Sequence, residues 1–279
     1  MSTAQRLVVI FAHPDDESFG FGGLLSAFAD AGYETTYVVG TRGEAGEILV
    51  PNLATRENLG EVREKELRAA LKILGVGEVR FLGFRDSGMD GTPENDDPRA
   101  FINQDVDSVA STVADIIIEK RPTVVLTYGP DGIYGHPDHL MAHKVGTAAV
   151  LVAGERGWQT PHLYYSAASQ ERIKRLASIP NSPLANTPAE VLRTFGTPSD
   201  QITTWMDIRA YQDRKLAALR AHRSQVGDDG PFADMPEEDR KMWLSIETAR
   251  VVPLPWNPEP TDVLAEIMPP VAPDHPFRG

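Results

Sequence analysis

The 279-residue chain contains no cysteine. Disulfides, thiolate catalysis and cysteine-held zinc or iron–sulfur sites are therefore excluded, and any metal must be held by His and carboxylate side chains. Basic residues are also in the minority, because 27 Lys and Arg stand against 40 Asp and Glu, giving a formal net charge of -13. This balance argues against a nucleic-acid or anionic-membrane partner, since both need a basic surface.

Long apolar runs are missing as well. No stretch approaches the ~18 apolar residues of a membrane span, and the N-terminus lacks the basic and apolar regions of a signal peptide. We therefore expect a cytoplasmic protein without a membrane anchor. The content of hydrophobic residues, 41%, is enough to bury a large core in a chain of this length, which excludes disorder and fibrous structure.

The apolar segment 7–12 has the features of a buried parallel strand. It is short and rich in β-branched residues, and Pro14 stops the strand because it has no N–H to donate to the ladder. The motif His13-Pro-Asp-Asp-Glu17 follows at once, and residues from Ser18 onward have apolar side chains at helical spacing. The polar cluster is thus predicted to occupy a strand-to-helix turn, where open α/β sheets build their active sites.

The rest of the chain alternates between segments with the pattern of buried strands and segments with apolar residues at helical spacing. Strands are predicted at 34–40, 79–83 and 123–128, and helices at 58–74, 102–120 and 140–152. This alternation predicts an α/β fold with a Rossmann-like, mainly parallel sheet flanked by helices. Further on we expect strands at 162–167 and 249–255, a helix at 207–223, and a Pro-rich tail from 253 that wraps the surface or frays.

We expect one domain over residues 1–279, with a core of about 5–168 and a C-terminal lobe of about 169–279. If the sheet is doubly wound, the first and fourth strands are neighbours, so the loop 129–139 faces the His13 turn. That loop carries a second His-Pro-Asp element at His136. One such element alone could be a capped turn, but two at the ends of parallel strands indicate a site.

The two loops supply the ligands of a catalytic metal. Such a zinc ion takes three His or carboxylate ligands and leaves one position open for water. His13 and Asp16 can converge across the tight turn, and His139 completes the set from the facing loop. We expect zinc, with ferrous iron as the alternative.

Other polar residues of these loops are then available for chemistry. Asp15 is placed to take a proton from the activated water, whereas His136 and Tyr134 are placed to donate hydrogen bonds to a developing oxyanion. His143 is an alternative ligand that we expect to lie outside the metal shell. We expect the three remaining isolated histidines to be structural: His162, His222 and His275.

A charged loop, Arg42-Gly-Glu-Ala-Gly-Glu47, follows the second strand and opens onto the same edge of the sheet. Its glycines allow the backbone to approach a ligand closely, and Arg42, Glu44 and Glu47 can bond hydroxyl groups. An ordinary solvated loop explains the same composition equally well.

The motifs Ala12-His-Pro-Asp-Asp-Glu17 and Gly135-His-Pro-Asp-His139 together resemble the LmbE-like, PIG-L superfamily of zinc-dependent de-N-acetylases. The similarity covers about residues 6–225. Within it, Arg85-Asp-Ser-Gly-Met-Asp-Gly-Thr-Pro93 and Ala221-His-Arg-Ser-Gln225 are most similar to the branch of actinobacterial thiol metabolism.

The resemblance implies a role for each matching position. It makes His13, Asp16 and His139 the zinc ligands, Asp15 the general base, and His136 with Tyr134 the pair that stabilises the carbonyl oxygen. It also implies that Asp138 orients a catalytic His and that Arg63 and Asp86 lie near the sugar.

We therefore expect a zinc-dependent hydrolase that removes an acetyl group from a small-molecule N-acetylglucosaminyl conjugate, with its oligomeric state left open. One alternative is an S-conjugate amidase of the same family, although the Lys associated with that branch is missing from Ser18-Phe-Gly-Phe21. The other is a metal-binding protein without catalysis, which would have no use for an unliganded Asp15.

Overall fold

The computed structural model describes residues 5–179, 184–229 and 235–278. Within these ranges seven strands form a single sheet: β1 (Arg6–Phe11), β2 (Glu34–Thr41), β3 (Glu78–Phe84), β4 (Val124–Tyr128), β5 (His162–Ser166), β6 (Thr204–Asp207) and β7 (Ile246–Val252). The helices in the same ranges are α1 (Asp16–Asp30), α2 (Leu59–Leu74), α3 (Val106–Lys120), α4 (Gly132–Gly135), α5 (Pro137–Glu155), α6 (Gln170–Ala177), α7 (Ala189–Leu192), α8 (Gln212–Ala221), α9 (Arg223–Val226), α10 (Glu237–Trp243) and α11 (Leu264–Ile267).

The order of the strands is β3-β2-β1-β4-β5-β7-β6. All neighbours from β3 to β5 are parallel, whereas β7 runs antiparallel to both β5 and β6. The direction of winding reverses between β1 and β4, as it does in a doubly wound sheet. The predicted α/β fold is thus confirmed, and the carboxyl ends of β1 and β4 flank the crevice where such sheets bind ligands.

The central strands are apolar because helices cover the sheet. Every residue from Leu7 to Phe11 in β1, and from Val124 to Tyr128 in β4, is at most 1% exposed. The helices α1, α2 and α8 contact one another, and α3 packs against α5. A parallel sheet buried in this way needs near-continuous apolar strands, which is the pattern that made β1 and β4 predictable.

Two predicted helices begin at other residues. The helix predicted from 140 begins at Pro137, because the His136 side chain accepts the N–H of Asp138 as an N-cap and Pro is favoured in the first turn. The helix predicted from 102 begins at Val106, because Asp105 caps it by accepting the Ser108 N–H. In both places local capping chemistry sets the boundary rather than the apolar spacing.

The expected C-terminal lobe completes the sheet. β6 was not predicted because its four residues are too few to show a period, and the strand expected at 249–255 is β7, which ends before Pro253. The helix predicted at 207–223 is shorter, since Arg209–Tyr211 form a 3-10 turn before α8. Residues 180–183 and 230–234 of the expected lobe lie outside the described ranges.

The tail packs onto the body instead of fraying. Leu264, Met268, Val271 and Phe277 are at most 4% exposed, and the Asp207 N–H in β6 donates to Pro269 O at 2.8 Å. In the part of the chain that the structure covers, no helix is both long and apolar enough to cross a membrane.

Candidate active site

The two His-Pro-Asp elements meet at the carboxyl edge of the sheet. β1 ends at Phe11 and leads into the His13 turn, while β4 ends at Tyr128 and leads into the loop with His136 and His139. Because β1 and β4 pair directly, the two loops lie side by side. The imidazole centroids of His13 and His139 are 5.3 Å apart.

The carboxylate of Asp16 lies between His13 and His139. Asp16 Oδ2 is 3.6 Å from His13 Nδ1, and Asp16 Oδ1 is 3.4 Å from His139 Nε2. With zinc–ligand bonds of about 2.0–2.2 Å, two ligand atoms of a tetrahedral site lie about 3.3–3.6 Å apart. Each of these two pairs therefore has the separation of neighbouring ligand atoms, His13 through one oxygen of Asp16 and His139 through the other.

The ring of His139 is held so that one nitrogen stays free. Its Nδ1–H donates to Gly132 O at 3.1 Å, and the Tyr128 ring stacks on it with centroids 4.2 Å apart. With the proton on Nδ1, Nε2 keeps its lone pair, and this buried atom has no hydrogen-bond partner. An orphaned buried acceptor is costly, and a metal ion would satisfy it.

His13 is oriented by carboxylates on its other side. His13 Nε2 lies 3.1 Å from Asp138 Oδ2 and 3.5 Å from Asp86 Oδ1, so Nε2 carries the proton and Nδ1 faces Asp16. Burial lowers the pKa of His13, but Asp86, Asp138 and Asp16 outweigh burial, and the pKa is raised. Asp138 itself is fixed by Ser87, whose N–H (3.0 Å) and hydroxyl both donate to it. The histidine that the Asp138 carboxylate contacts is thus His13.

Asp15 is held next to this trio in an unusual conformation. Its φ of 107° lies in the region that residues with a Cβ rarely adopt. Its N–H donates to Glu17 Oε2 at 3.0 Å, and its carboxylate accepts from Arg63 Nη2 at 3.2 Å. Burial raises the pKa of Asp15 to about 6 against the attraction of Arg63, with Asp16 adding to the rise. A carboxyl group of this pKa is largely ionised at neutral pH and is suited to accept a proton.

His136 Nε2 and the Tyr134 hydroxyl each carry a proton. His136 Nδ1 accepts the N–H of Asp138 at 3.1 Å, which leaves the proton on Nε2. Burial lowers the pKa of His136 to about 2, with His13 and His139 contributing, so the ring is neutral. Burial and the charge of Asp16 raise the pKa of Tyr134, which keeps its hydroxyl protonated.

Other trios were weighed as metal ligands. In the described ranges, two trios offer one ligand atom per residue with all three atoms within 4.8 Å of one another: His13, His136 and His139, and His13, Asp86 and Asp138. His136, however, has its Nδ1 lone pair occupied and its proton on Nε2, so it offers no free lone pair. The second trio is satisfied by hydrogen bonds from His13 and Ser87.

Comparison with known proteins identifies the family. Residues 8–150 match the family described as PIG-L, GlcNAc-PI de-N-acetylase. The chain is 37% identical to the 1D-myo-inositol 2-acetamido-2-deoxy-alpha-D-glucopyranoside deacetylase of Geodermatophilus obscurus, over 90% of its own length and 93% of the relative's. The chain belongs to the PIG-L family. The resemblance expected from the two motifs is thereby confirmed.

Further matches agree with membership of the PIG-L family. The deacetylase of the same name from Acidothermus cellulolyticus is 43% identical over 82% of each chain. Among solved structures, N,N'-diacetylchitobiose deacetylase from Pyrococcus horikoshii is similar, with a TM-score of 0.61 and 20% identity over 89% of this chain and 84% of the other. At that identity the structural likeness supports the shared fold.

The five residues predicted to bind the substrate have different surroundings in this PIG-L family chain. Arg42 pairs with Glu64 at 2.8 Å and lies over the Phe81 ring, and Glu47 is exposed. Glu44 Oε2 accepts the N–H of Asp86 at 3.1 Å.

Asp86 and Arg63 are both buried beside the His13 turn. Asp86 accepts backbone N–H groups from Ala45 and Gly88, and Arg63 donates to Pro14 O and Gly43 O. Their proximity to sugar hydroxyls stays a prediction, whereas their contacts with the Pro14–Asp15 turn and the 43–45 loop are direct.

One further histidine contacts the turn that holds Asp15. His222, which we expect to be structural, is fully buried, and its Nε2 lies 2.6 Å from Glu17 Oε1. The sequence pointed to this place only through the Ala221-His-Arg-Ser-Gln225 motif. His143 turns away, since its Nδ1 donates to Tyr128 O and its ring packs on Tyr165.

Proposed function

We propose that this protein is a metal-dependent hydrolase that removes the acetyl group from 1D-myo-inositol 2-acetamido-2-deoxy-α-D-glucopyranoside, the compound in the names of its relatives. The observation that carries the proposal is the buried, unpartnered Nε2 of His139, 3.4 Å from Asp16 Oδ1. It supports a divalent ion held by His13, Asp16 and His139. Zinc suits these ligands, and ferrous iron is the alternative.

A divalent ion held by His13, Asp16 and His139 would supply the Lewis acidity that makes water a nucleophile near neutral pH. Asp15 accepts the proton of the attacking water, because its carboxylate lies beside Asp16 and its pKa is matched to that task. The same proton then passes to the nitrogen of the broken amide bond. One water is consumed, and the products are the amine and acetic acid, which at neutral pH become the protonated amine and acetate.

His136 and Tyr134 stabilise the charge that develops on the carbonyl oxygen. The neutral His136 offers Nε2–H, and Tyr134 offers its hydroxyl, so both act as donors without adding a formal charge. Their rings lie close to the proposed ligand His139, with centroid distances of 5.0 Å in each case. The proposal assigns no metal contact to either residue.

Charged groups beside the proposed metal position favour a polyhydroxylated substrate with a small acyl group. Asp86 has one backbone N–H on each oxygen and retains lone pairs for hydroxyl groups. We assign sugar contacts to Asp86 and Arg63 and, from the loop after β2, to Arg42, Glu44 and Glu47.

The test is acetate release from the inositol glycoside by protein stripped with a chelator and reloaded with Zn²⁺ or Fe²⁺. We expect activity to depend on the added ion and to exceed that on a long-chain N-acyl analogue or an S-conjugated substrate. A matched control is His162→Leu, because His162 lies at the opposite end of its strand from the site. Preference for the long-chain or S-conjugated substrate would refute the substrate assignment.

A further inference from the structure

The motif that contains His222 follows the C-terminal end of α8 and contacts Glu17 of the His13 turn. His222 is 0% exposed, and its Nε2 lies 2.6 Å from Glu17 Oε1, which is also 0% exposed. The Ser18 hydroxyl and the Asp15 N–H also donate to Glu17. Both oxygens of Glu17 therefore act as acceptors. In the contact with His222 the proton is then on the histidine, and Nε2–H is the donor.

Glu17 connects His222 to the backbone of Asp15. Glu17 Oε2 accepts the Asp15 N–H at 3.0 Å, at the residue whose φ is 107°. A left-handed conformation in a residue with a Cβ persists only when its surroundings fix it. Arg63 holds the same turn from the other side by donating to Pro14 O and to the Asp15 carboxylate.

His222 is itself held firmly by the residues that follow it. The Ser224 N–H and hydroxyl donate to the two oxygens of Glu66 in α2, at 2.7 and 2.6 Å. Gln225 donates to the backbone oxygen of Glu47 at 2.8 Å. The segment therefore bridges α2 and the loop after β2, and this fixes the point from which His222 contacts Glu17.

We propose that His222 is a positioning residue that acts through Glu17 to fix the Asp15 carboxylate for proton transfer. We call these three residues the His222 brace. The inference rests on the proposed function, because Asp15 is the general base only in that reaction. A buried ion pair that served the core alone would affect stability without affecting turnover of the folded enzyme.

The first test compares two substitutions at one position. His222→Leu removes the donor, whereas His222→Gln keeps an N–H near the place of Nε2. With zinc content and KM unchanged, we expect kcat to fall about 10- to 100-fold in His222→Leu, since small misplacements of a catalytic group cost that much. His222→Gln should recover most of the loss, and His162→Leu should match the wild type. An unchanged kcat in His222→Leu would overturn the proposal.

The second test asks whether the effect passes through Asp15. In an Asp15→Asn background, His222→Leu should lower kcat little further, because residues that act as a unit are not additive. An equal loss in both backgrounds would mean a general structural role and would also overturn the brace.

Hydrogen exchange at the Asp15 amide gives a readout without activity. It should be faster in His222→Leu than in wild type and in His222→Gln. If the wild type hydrolyses none of the substrates, the proposed function fails. Hydrogen exchange at the Asp15 amide then tests the His222 brace independently of activity. An unchanged exchange rate in His222→Leu would reject the brace.

Discussion

At the scale of single residues, each proposed metal ligand has its free atom selected by a second contact. Gly132 O takes the Nδ1–H of His139, Asp138 takes the Nε2–H of His13, and the His13 N–H binds one oxygen of Asp16 at 2.7 Å. Such contacts set the tautomer and the ring orientation before any ion arrives. These contacts hold the proposed ligand atoms of His13, Asp16 and His139 in fixed orientations.

The contact between Asp138 and His13 leads to a measurable prediction. Asp138→Ala should weaken zinc affinity about 10- to 100-fold, as is usual when a partner of a ligand is lost. Asp138→Asn should weaken it less, because an acceptor oxygen remains. Competition with a chromophoric chelator measures the affinity, and the exposed Asp115→Ala serves as the control. Equal affinity in Asp138→Ala and wild type would show that Asp138 does not support the ligand.

The residues predicted from sequence are those whose partners are local or belong to a repeated motif. His13 and Asp16 are three residues apart, and His139 follows the second His-Pro-Asp element, so spacing alone indicated the trio. The contacts of Ser87 with Asp138 and of His222 with Glu17 join residues 51 and 205 positions apart. No local pattern encodes such pairings, because they depend on how the elements pack.

At the scale of elements, α1 is interrupted at one residue, and side chains from β7 and α8 form hydrogen bonds with its backbone around that break. Phe21 has non-helical dihedral angles, φ −134° and ψ 28°. Glu247 in β7 accepts the N–H groups of Gly23 and Leu24, both at 2.8 Å, and Lys215 in α8 donates to Phe19 O. These contacts satisfy backbone groups that a broken helix would otherwise leave unpaired.

Removing one member of the buried pair tests this account of the break. Lys215 and Glu247 are at most 1% exposed and 2.6 Å apart. Lys215→Met should lower the free energy of unfolding by about 3–5 kcal/mol, because it removes the ammonium group that pairs with the buried Glu247 carboxylate. Urea denaturation measures the loss, and the exposed Lys241→Met should lie close to wild type. A loss no larger than that of Lys241→Met would contradict the account.

The same break marks a limit of prediction at this scale. Apolar spacing correctly indicated a helix after Ser18 because the period survives a short interruption. The interruption itself depends on Glu247, which is 224 residues from Gly23. Strands β1 and β4 were predictable since both their faces are buried, whereas the four residues of β6 were too few to show a pattern.

At the scale of the whole molecule, we expect the core and the C-terminal residues to unfold as one unit. β7 pairs with β5 in the same sheet, Glu247 reaches α1, and the tail packs against β6. The four Trp all come after residue 150, whereas helices occur throughout. Trp fluorescence and far-UV circular dichroism should therefore report one urea transition. Two separate transitions would indicate independent domains.

Substitution of a leucine in the tail tests how much the tail contributes to the stability of the whole molecule. Leu264 is 0% exposed, so Leu264→Ala should lower the free energy of unfolding by about 2–5 kcal/mol. The matched control is Leu49→Ala, whose parent side chain is 49% exposed and should contribute little. In Leu264→Ala, the urea midpoints measured by Trp fluorescence and by circular dichroism should fall by the same amount. A lower midpoint by fluorescence alone would show that the tail is only loosely attached. Equal free energies of unfolding in Leu264→Ala and Leu49→Ala would show the same.

The most direct test of the proposed chemistry measures acetate release from the inositol glycoside by wild type and Asp15→Asn at equal zinc content. If Asp15 accepts a proton and does not hold the ion, as we propose, Asp15→Asn should keep one zinc per chain and lose at least ~100-fold in kcat. Loss of the zinc in Asp15→Asn, or retention of wild-type turnover, would contradict the assignment of Asp15 as the general base.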